Sequence, residues 1–498
     1  MSQILYHSTR DSKKIESLSA AAAIKQGLAS DGGLFVPNTI PTLSEADVKA
    51  LLPLSYPERA SKILSMFLTD YTEEELLLDC QKAYAPESFL GGAAPLRHVD
   101  DKTSFLELWH GPTAAFKDMA LQIMPRLLSR ALVKTGETRT ALILVATSGD
   151  TGKAALEGYK DIPQIKMMVF YPIDGVSRVQ KLQMATQTGD NVSVVAIRGN
   201  FDDAQTGVKQ IFGSDEAVRV LNENGCFFSS ANSINWGRLA PQIVYYISAY
   251  CDLLAEGRIT YGEKMNVCVP TGNFGNILAS YIAKNMGLPI GKLICASNSN
   301  NVLTEFFETG TYTRNRPFHL TMSPSMDILI SSNLERLIYF IAGAEETCTY
   351  MEQLNKNGSY TVSDKIFARI REDFYGYYAS EDATAEAIRE SFSEHGYLID
   401  THTAVAASAV KQYRAETGDD SATVIASTAS PYKFASDVFI SLTGEKPSDP
   451  LEALDALSEK TKTDIPYPLK GIGTRKIRFS EVIEKTDMKN TVYSFAKN

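Results

Sequence analysis

One lysine in the sequence stands where a reactive amine would be expected. Residues 110–118 read HGPTAAFKD, a turn marked by Gly and Pro that runs into apolar residues at helical spacing. This pattern predicts that Lys117 lies in the first turn of a helix, where the helix dipole disfavours protonation of an amine. Partial burial would lower its pKa further, as a Schiff-base-forming lysine requires. Taken alone, these residues fit an ordinary surface lysine better.

A second candidate site is the polar loop 147–152, with the sequence TSGDTG. It follows an apolar run at 140–146, which is predicted to be a strand, and it precedes a predicted helix at 153–159. Unpaired backbone N–H groups converge at the start of such a helix, so the loop suits an anion. It is not a nucleotide P-loop, because Gly149 is too close to Gly152 and Ala154 replaces the hydroxyl residue that would bind magnesium.

The same strand–loop–helix pattern recurs further along the chain. A predicted strand at 266–270 leads through the glycine-containing loop 271–276 into a predicted helix at 277–285, which suits a phosphate but does not match a dinucleotide fingerprint. Another unit combines a strand at 422–426 with a helix at 433–442.

A further polar loop, at 230–238, enters a long apolar helix predicted at 239–254. Its Asn232, Asn235 and Arg238 could bind an oxyanion. They could equally cap the helix and make surface contacts, which is the more frequent use of such residues.

These loops require a scaffold that brings them together. Strands predicted at 166–171 and 192–197 alternate with helices at 176–187 and 203–212, and residues 1 to about 95 read as largely helical. Loops that follow strands and open helices are typical of an α/β fold with a parallel sheet and ligands at the carboxyl ends of its strands. Helices are expected to dominate from 358 to 414.

Composition limits the classes of function. A chain of 498 residues with 44% hydrophobic and 22% charged residues is typical of a globular protein of several domains. Its net charge of −10 argues against a nucleic-acid partner. Without a recognisable signal peptide or membrane span, and with six cysteines that form no CxxC pair, a cytoplasmic protein is expected. Its six histidines lack HExxH spacing, so no protein-ligated metal is expected.

The loops together indicate a class of ligand. They offer an amine, a phosphate cradle and hydroxyl groups, without a Ser/His/Asp triad signature. A phosphate-bearing aldehyde such as pyridoxal phosphate would use all of them. Its aldehyde would condense with Lys117, its phosphate would lie over 272–276, and Thr428 could face its ring nitrogen.

With these motifs in family order, the chain resembles the threonine synthases, within the fold-type II group of pyridoxal-phosphate enzymes. The resemblance covers nearly the whole length, including residues 6–10, 27–37, 110–118, 147–152, 232–238, 272–276, 323–327 and 428–434. It implies an α/β fold with parallel-sheet large and small domains and a mainly helical N-terminal domain. The implied boundaries are 1–95 for the N-terminal domain, 96–136 with 240–498 for the large domain, and 137–239 for the small domain.

The resemblance also implies roles for individual residues. Lys117 would bind the cofactor covalently and then act as acid and base. The other implied cofactor-binding residues are Phe116, Asp150, Gly272, Asn273, Phe274, Gly275, Asn276 and Thr428. The implied substrate-binding residues are Thr147, Ser148, Gly149, Thr151, Lys153, Asn232, Asn235 and Arg238.

The implied reaction is that of a carbon–oxygen lyase acting on phosphates. O-phospho-L-homoserine and water would become L-threonine and phosphate by β,γ-elimination and replacement, the last step of threonine biosynthesis. The alternatives are an amino-acid dehydratase or lyase of the same fold, a non-catalytic ligand-binding relative, and a nucleotide-binding protein, the last weakened by the failed P-loop and dinucleotide matches. The sequence leaves open whether the protein is a monomer or a homodimer.

Two features stand outside this pattern. The family's Thr-Ala-His-Pro-Ala-Lys-Phe run reads here TASPYKF from residue 428, with Ser430 and Tyr432 in place of His and Ala. This change puts local packing and any proton relay at that edge in doubt. Asp118, next to the lysine, has no evident role.

Overall fold

The computed structural model describes residues 3–13, 17–147, 149–174 and 176–497. The strands within these ranges are β1 (Tyr6–Ser8), β2 (Phe35–Pro37), β3 (Leu96–His98), β4 (Thr103–Glu107), β5 (Thr140–Ala146), β6 (Ile165–Pro172), β7 (Val192–Arg198), β8 (Cys226–Ser229), β9 (Met265–Pro270), β10 (Ile290–Ser297), β11 (Thr311–Thr313), β12 (Ser359–Thr361), β13 (Phe374–Tyr378), β14 (Thr423–Ser427) and β15 (Val482–Glu484).

The α-helices of the same ranges are α1 (Ala20–Gln26), α2 (Glu45–Leu51), α3 (Tyr56–Phe67), α4 (Glu73–Ala83), α5 (Asp118–Leu121), α6 (Met124–Lys134), α7 (Asp150–Tyr159), α8 (Arg178–Ala185), α9 (Phe201–Phe212), α10 (Asp215–Glu223), α11 (Trp236–Ala255), α12 (Gly275–Asn285), α13 (Val302–Thr309), α14 (Leu334–Ala342), α15 (Ala344–Asn357), α16 (Asp364–Asp373), α17 (Glu381–His395), α18 (Thr401–Thr417), α19 (Ala435–Thr443), α20 (Glu452–Thr461) and α21 (Met488–Lys497). Short 3-10 turns at Pro324–Met326 and Pro431–Phe434 lie close to the site described below.

Two sheets organise the fold. A six-stranded sheet has the order β13-β10-β9-β14-β4-β3, and a five-stranded sheet has the order β15-β7-β6-β5-β8. All pairings in them are parallel except that of β3 with β4. The central strands β9 and β14 are buried along their whole length, as expected where helices cover both faces of a parallel sheet. The α/β fold class is therefore confirmed.

All five strands predicted from the sequence are present. The run at 140–146 is β5 with the predicted ends, and the runs at 266–270 and 422–426 correspond to β9 and β14, each within one residue. The strand at 374–378 was missed, and the expectation that helices dominate from 358 to 414 is wrong there. Pairing with β10 along the edge of the six-stranded sheet overrides the weak local pattern of this short segment.

The predicted helix after Lys117 consists of two helices. The first, α5, ends at Leu121, and α6 begins at Met124 with Pro125 in its first turn. Proline fits the start of a helix but cannot continue one, because it lacks an N–H group. Lys117 itself is the N-cap of α5, one position before the predicted first turn.

The two ends of the chain pack on different parts of the molecule. Helix α1, capped by Ser19, packs on α6, and α3 packs on the long helix α11. At the other end β15 pairs with β7, and Met488 and Val492 of α21 join the apolar cluster beside the five-stranded sheet. Residues 482–497 thus pack with the sheet predicted to form the small domain, whereas the division given above assigns them to the large domain. The domain boundaries remain predictions.

Across the described ranges, no helix is both long enough and apolar enough to span a bilayer.

Candidate active site

The predicted functional loops all begin at the carboxyl ends of parallel strands. On the six-stranded sheet, β4 leads to Lys117, β9 leads to 271–276 and β14 leads to Thr428. On the five-stranded sheet, β5 leads to 147–151 and β8 leads to 232–238. This is the edge at which open α/β sheets bind ligands. One cavity is lined by residues from all five loops, including Phe116, Lys117, Thr151, Asn232, Arg238, Gly272, Asn273, Phe274, Gly275, Asn276 and Thr428.

Lys117 lies in the wall of this cavity, with 11% of its side chain exposed. Its Nζ lies 3.7 Å from Oδ2 of Asp150, 3.5 Å from Oγ of Ser325 and 4.9 Å from the centre of the Phe116 ring. Burial lowers the pKa of Lys117, the Asp150 carboxylate opposes this, and the nearby cations Lys433 and Arg238 lower it further. The direction is the one expected from the sequence, and it favours an unprotonated, nucleophilic amine.

Asp150 is the carboxylate that balances this cluster of cations. It is the first residue of α7, and its Oδ1 lies 3.0 Å from Nζ of Lys433 and accepts a hydrogen bond of 2.8 Å from the Gln180 amide. Burial alone would raise the pKa of Asp150. The ammonium groups of Lys433 and Lys117 outweigh burial and hold that pKa well below its usual range. Asp150 is therefore ionised at neutral pH.

The loop 272–276 makes a tight turn into the N-terminus of α12. Phe274, the N-cap of α12, has a φ of 63°, a left-handed conformation that is costly for a residue with a side chain. Its ring packs against Phe307 and Phe374, and this packing holds the strained turn. At Gly272 a Cβ would lie 2.7 Å from the carbonyl oxygen of Ser325, so only glycine fits. The first turn of α12 presents N–H groups that lack intrahelical acceptors.

Two buried donors in the cavity wall lack acceptors among the described residues. Oδ1 of Asn276 accepts hydrogen bonds from Tyr245 (2.6 Å) and Tyr246 (2.5 Å), which leaves its Nδ2 unpaired within the described ranges. Arg238 donates from Nη1 to the carbonyl of Ala231 at 2.7 Å, whereas its Nε has no partner there. Burial lowers the pKa of Arg238 to about 10, so it stays charged at neutral pH. Two unpaired buried donors, of which Arg238 is positively charged, suit an anionic ligand.

Some predicted site residues serve the loops and do not line the cavity. Oγ1 of Thr147 accepts hydrogen bonds from the N–H groups of Gly149 and Gly152, both at 3.0 Å, and thereby folds its own loop. The ammonium group of Lys153 pairs with Glu157 at 2.9 Å and with Gln187, so both of these contacts are within the protein.

Asn235 and Gly149 are also used for local structure. Asn235 caps α11 through the N–H of Gly237 and donates to the carbonyl of Ile24, so its amide is committed to the helix cap and the N-terminal region. Gly149 has a φ of 144°, and a Cβ there would lie 2.5 Å from the Gln180 side chain. Ser148, predicted to bind substrate, lies outside the described residues.

Sequence reasoning missed three residues around Lys117. Ser325 lies between Lys117 and Asp150, with its Oγ 3.3 Å from the carboxylate. His402 accepts the N–H of Ser325 at Nε2 (3.1 Å) while its Nδ1 pairs with the buried Asp400 (2.8 Å). Lys433 is fully buried. Ser325 and Lys433 lie in the segments that carried the family resemblance, so the resemblance could have identified them. His402 lies outside those segments, and no sequence pattern indicated it.

The residues left open by the sequence have structural roles. Asp118 is buried and accepts hydrogen bonds from the N–H (2.8 Å) and Oγ1 (2.7 Å) of Thr113, so it braces the loop that carries Lys117. Ser430 accepts the N–H of Tyr432 and starts the 3-10 turn. The Tyr432 hydroxyl donates to the carbonyl of Thr463 at 2.7 Å, and its ring is part of a buried apolar cluster.

Comparisons with known proteins agree with this geometry. Residues 5–84 match the family model described as threonine synthase N terminus, and residues 104–429 match that of the pyridoxal-phosphate dependent enzymes. Human threonine synthase-like 1 is 40% identical over 435 residues, which are 85% of this chain and 58% of that protein. The chain thus spans little more than half the length of this relative. Threonine synthase of Pseudomonas aeruginosa is 36% identical over 88% of this chain and 91% of its own length.

Solved structures extend the likeness to the whole fold. Threonine synthase of Brucella melitensis, a structure with bound PLP, superimposes with a TM-score of 0.88 at 35% identity and covers 99% of this chain and 100% of its own. Yeast threonine synthase gives the same TM-score at 34% identity, with 99% and 98% covered. The similarity therefore includes the N-terminal region, both sheets and the loops between them. The chain belongs to the threonine synthase family of pyridoxal-phosphate-dependent enzymes.

Proposed function

We propose that the protein is a threonine synthase, a lyase that uses pyridoxal phosphate to convert O-phospho-L-homoserine and water into L-threonine and phosphate. The observation that carries the proposal is that Lys117 shares one cavity with two features that suit anions. These features are the N-terminus of α12 and the buried guanidinium of Arg238. A reaction between a phosphorylated cofactor and a phosphorylated substrate needs both.

The residues present fit pyridoxal phosphate. Lys117 has the lowered pKa that covalent attachment to an aldehyde requires, and 272–276 offers backbone N–H groups to a phosphate. The unpaired Nδ2 of Asn276 supports the same use. Thr428 lines the cavity, where its hydroxyl can serve the ring nitrogen, and Phe116 and Asp150 lie beside the lysine.

Positive charge in the cavity supports an anionic substrate. Arg238 and Asn232 line its wall next to Thr151, and we assign the substrate phosphate to the first two. The carboxylate of the substrate would then meet the loop 147–151 at the start of α7. In this arrangement Lys153 and Asn235 act by holding the loops, since their polar groups bond to Glu157, Gln187 and the cap of α11.

The chain's own residues then bind, orient and move protons. When bound, the cofactor delocalises negative charge that develops on the substrate carbons. The amine of Lys117 takes up and returns protons at the substrate carbons, because it lines the cavity and its pKa is lowered. Asp150 and Ser325 hold that amine in position. Arg238 retains the phosphate group at one end of the substrate, so that the breaking bonds stay aligned.

The closest alternatives are a lyase of the same fold with a different substrate and a ligand-binding relative without this activity. The similarity to threonine synthase-like 1 keeps the second alternative open. The test is release of phosphate and formation of L-threonine from O-phospho-L-homoserine, with L-serine and L-threonine as competing substrates. Threonine and phosphate in equal amounts support the proposal. Ammonia from serine, or phosphate without threonine, would contradict it.

A further inference from the structure

Lys433 is a buried lysine that the proposed reaction does not use. Its side chain is fully shielded from solvent, in the 3-10 turn that follows β14 and Thr428. Its Nζ lies 3.0 Å from Oδ1 of Asp150 and donates a hydrogen bond of 2.8 Å to the carbonyl of Thr113. A buried ammonium is costly unless it is paired and hydrogen-bonded, and this one is both.

These two contacts join three loops of the site. Thr113 belongs to the loop that carries Lys117, and Asp150 starts α7 on the five-stranded sheet. A backbone hydrogen bond also connects the loop that carries Lys117 with the one after β14: the N–H of Phe116 donates to the carbonyl of Thr428 at 2.8 Å. Lys433 therefore links the loops that follow β4, β5 and β14.

Asp150 has two cationic partners, but only one of them is permanent. Lys117 approaches Oδ2 at 3.7 Å, whereas Lys433 approaches Oδ1 at 3.0 Å. In the proposed function the amine of Lys117 is engaged by the cofactor and the substrate. Asp150 would then be a buried carboxylate with Lys433 as its closest remaining cation, aided by hydrogen bonds from Gln180 and Ser325.

We infer that Lys433 is a positioning residue that serves as the lasting counter-ion of Asp150 and sets the charge felt by the amine of Lys117. The inference rests on the proposed function for the engagement of Lys117, but the pairing itself is a property of the chain. Other charged groups also act on this cluster: Arg238 on Lys117, and Asp118 and Lys153 on Lys433. All of them are unchanged in the variants below.

The test compares Lys433→Met, which removes the charge, with Lys433→Arg, which keeps it, and with Lys411→Met at an exposed lysine as control. The full-length protein, freed of cofactor, is labelled with an amine reagent over a range of pH, and the labelling of Lys117 is followed by peptide mass spectrometry. In Lys433→Met the midpoint should move upward by about one pH unit, because a neighbouring cation no longer opposes protonation. In Lys433→Arg and the control it should stay near the wild-type value.

If Lys433 has only a structural role, the midpoint of Lys117 labelling stays unchanged in Lys433→Met. This result would overturn the inference. If Lys433→Met does not fold, the double variant Lys433→Met/Asp150→Asn supplies the test, because it removes both charges of the pair. Recovery of folding in the double variant supports the pairing, and failure to recover contradicts it. Neither measurement uses cofactor or O-phospho-L-homoserine, so failure of the proposed function would be seen separately, in the product assay.

Discussion

The chemistry of the site depends on which charges are paired and which are free. Lys117 has a carboxylate partner at 3.7 Å, whereas Arg238 has a carbonyl partner and an unpaired Nε within the described ranges. A cation whose hydrogen-bonding capacity is unused invites a ligand, and a paired cation is tuned by its neighbour. The two residues are thereby assigned different tasks in the same cavity.

Replacing Arg238 should weaken substrate binding selectively. For Arg238→Met we expect KM for O-phospho-L-homoserine to rise about 10- to 100-fold, which corresponds to the loss of a hydrogen-bonded charge contact. The affinity for pyridoxal phosphate should change little, because that phosphate is assigned to 272–276. Steady-state kinetics and cofactor titration measure the two effects, with Arg219→Met at an exposed arginine as control. An equal loss of cofactor affinity would refute the assignment.

Asp118 should make stability depend on pH. Burial raises the pKa of Asp118 from 3.8 to about 6, although hydrogen bonds from Thr113 oppose it. Because the folded chain holds this proton more tightly, the stabilisation is complete below about pH 4 and is lost as the pH rises to about 6. Relative to Asp118→Asn, the wild-type free energy of unfolding should fall by about 3 kcal/mol across this window. Denaturant unfolding at several pH values measures this difference, and Asp101→Asn at an exposed position is the control. If the free-energy difference between wild type and Asp118→Asn stays constant with pH, Asp118 does not cause the pH dependence.

The sequence predicted the roles of single residues only where a local sequence pattern indicated them. The motif around Lys117 indicated a reactive amine, because spacing and turn residues carry that information along the chain. Lys433 and His402 act through partners such as Asp150 and Asp400, which are distant in sequence. No local pattern reveals such pairs, and only the fold brings them together. The commitment of Lys153 to Glu157 and Gln187 is likewise a matter of side-chain direction.

At the scale of elements, a close helix contact sets the position of the lysine loop. Helix α7 packs on α5 so tightly that a Cβ on Gly158 would lie 1.8 Å from the carbonyl oxygen of Leu121. Helix α5 starts directly after Lys117, and α7 starts at Asp150. The distance between the amine and its carboxylate is therefore set by the approach of these two helices.

Adding a methyl group at this contact should displace both residues. We expect Gly158→Ala to lower the free energy of unfolding by about 1–3 kcal/mol, as overpacking of a well-packed interior does. Cofactor binding should weaken with it. Gly213→Ala is a matched control, because its Cβ would meet the nearest atom at an ordinary 3.5 Å. Denaturant unfolding and cofactor titration follow the two quantities. A Gly158→Ala protein as stable as the control would contradict the role of this contact.

The prediction of these elements from the sequence was most accurate where a continuous apolar run was long. The buried strand β5 was found with its ends, and the loops after β5, β9 and β14 were found with it. The division between α5 and α6 was missed, although Pro125 marks it. Strand β13 was missed because an edge strand is stabilised mainly by its neighbour.

At the scale of the molecule, Arg336 ties the N-terminal region to the loops 230–238 and 271–276. This fully buried guanidinium donates to the carbonyl of Phe35 on β2 at 2.9 Å and to the carbonyl of Ile234 at 2.6 Å. It also contacts Oδ1 of Asn333 at 2.5 Å, and the N–H of Asn333 donates to the carbonyl of Asn273 at 3.1 Å. One side chain thus connects an N-terminal strand with the loops proposed to bind substrate and cofactor.

Removing this connection should affect the whole site. We expect Arg336→Met to lower the free energy of unfolding by roughly 2–5 kcal/mol, because buried carbonyl groups lose their donors. Affinity for cofactor and for substrate should fall together. Arg10→Met is the control, since Arg10 pairs with Glu335 in the preceding position of α14 at 2.8 Å. Thermal unfolding and titrations of both ligands measure these effects. Loss of only one affinity would contradict a shared brace.

The arrangement of the two sheets could be predicted only as a class. Alternating strands and helices indicated parallel sheets, and the resemblance implied two of them. The packing of residues 482–497 beside β7 could not be read from the sequence, because a short strand gives little signal and its partner lies far away in the chain.

The central claim is that Lys117 is the residue that binds pyridoxal phosphate. The most direct measurement is reduction of the cofactor-loaded protein with borohydride, followed by peptide mass spectrometry to locate the attached pyridoxyl group. Lys153 and Lys433, which are both buried, serve as internal controls. We predict a single adduct on Lys117, which Lys117→Ala abolishes. An adduct on Lys153 or Lys433, or no adduct after added pyridoxal phosphate, would contradict the account.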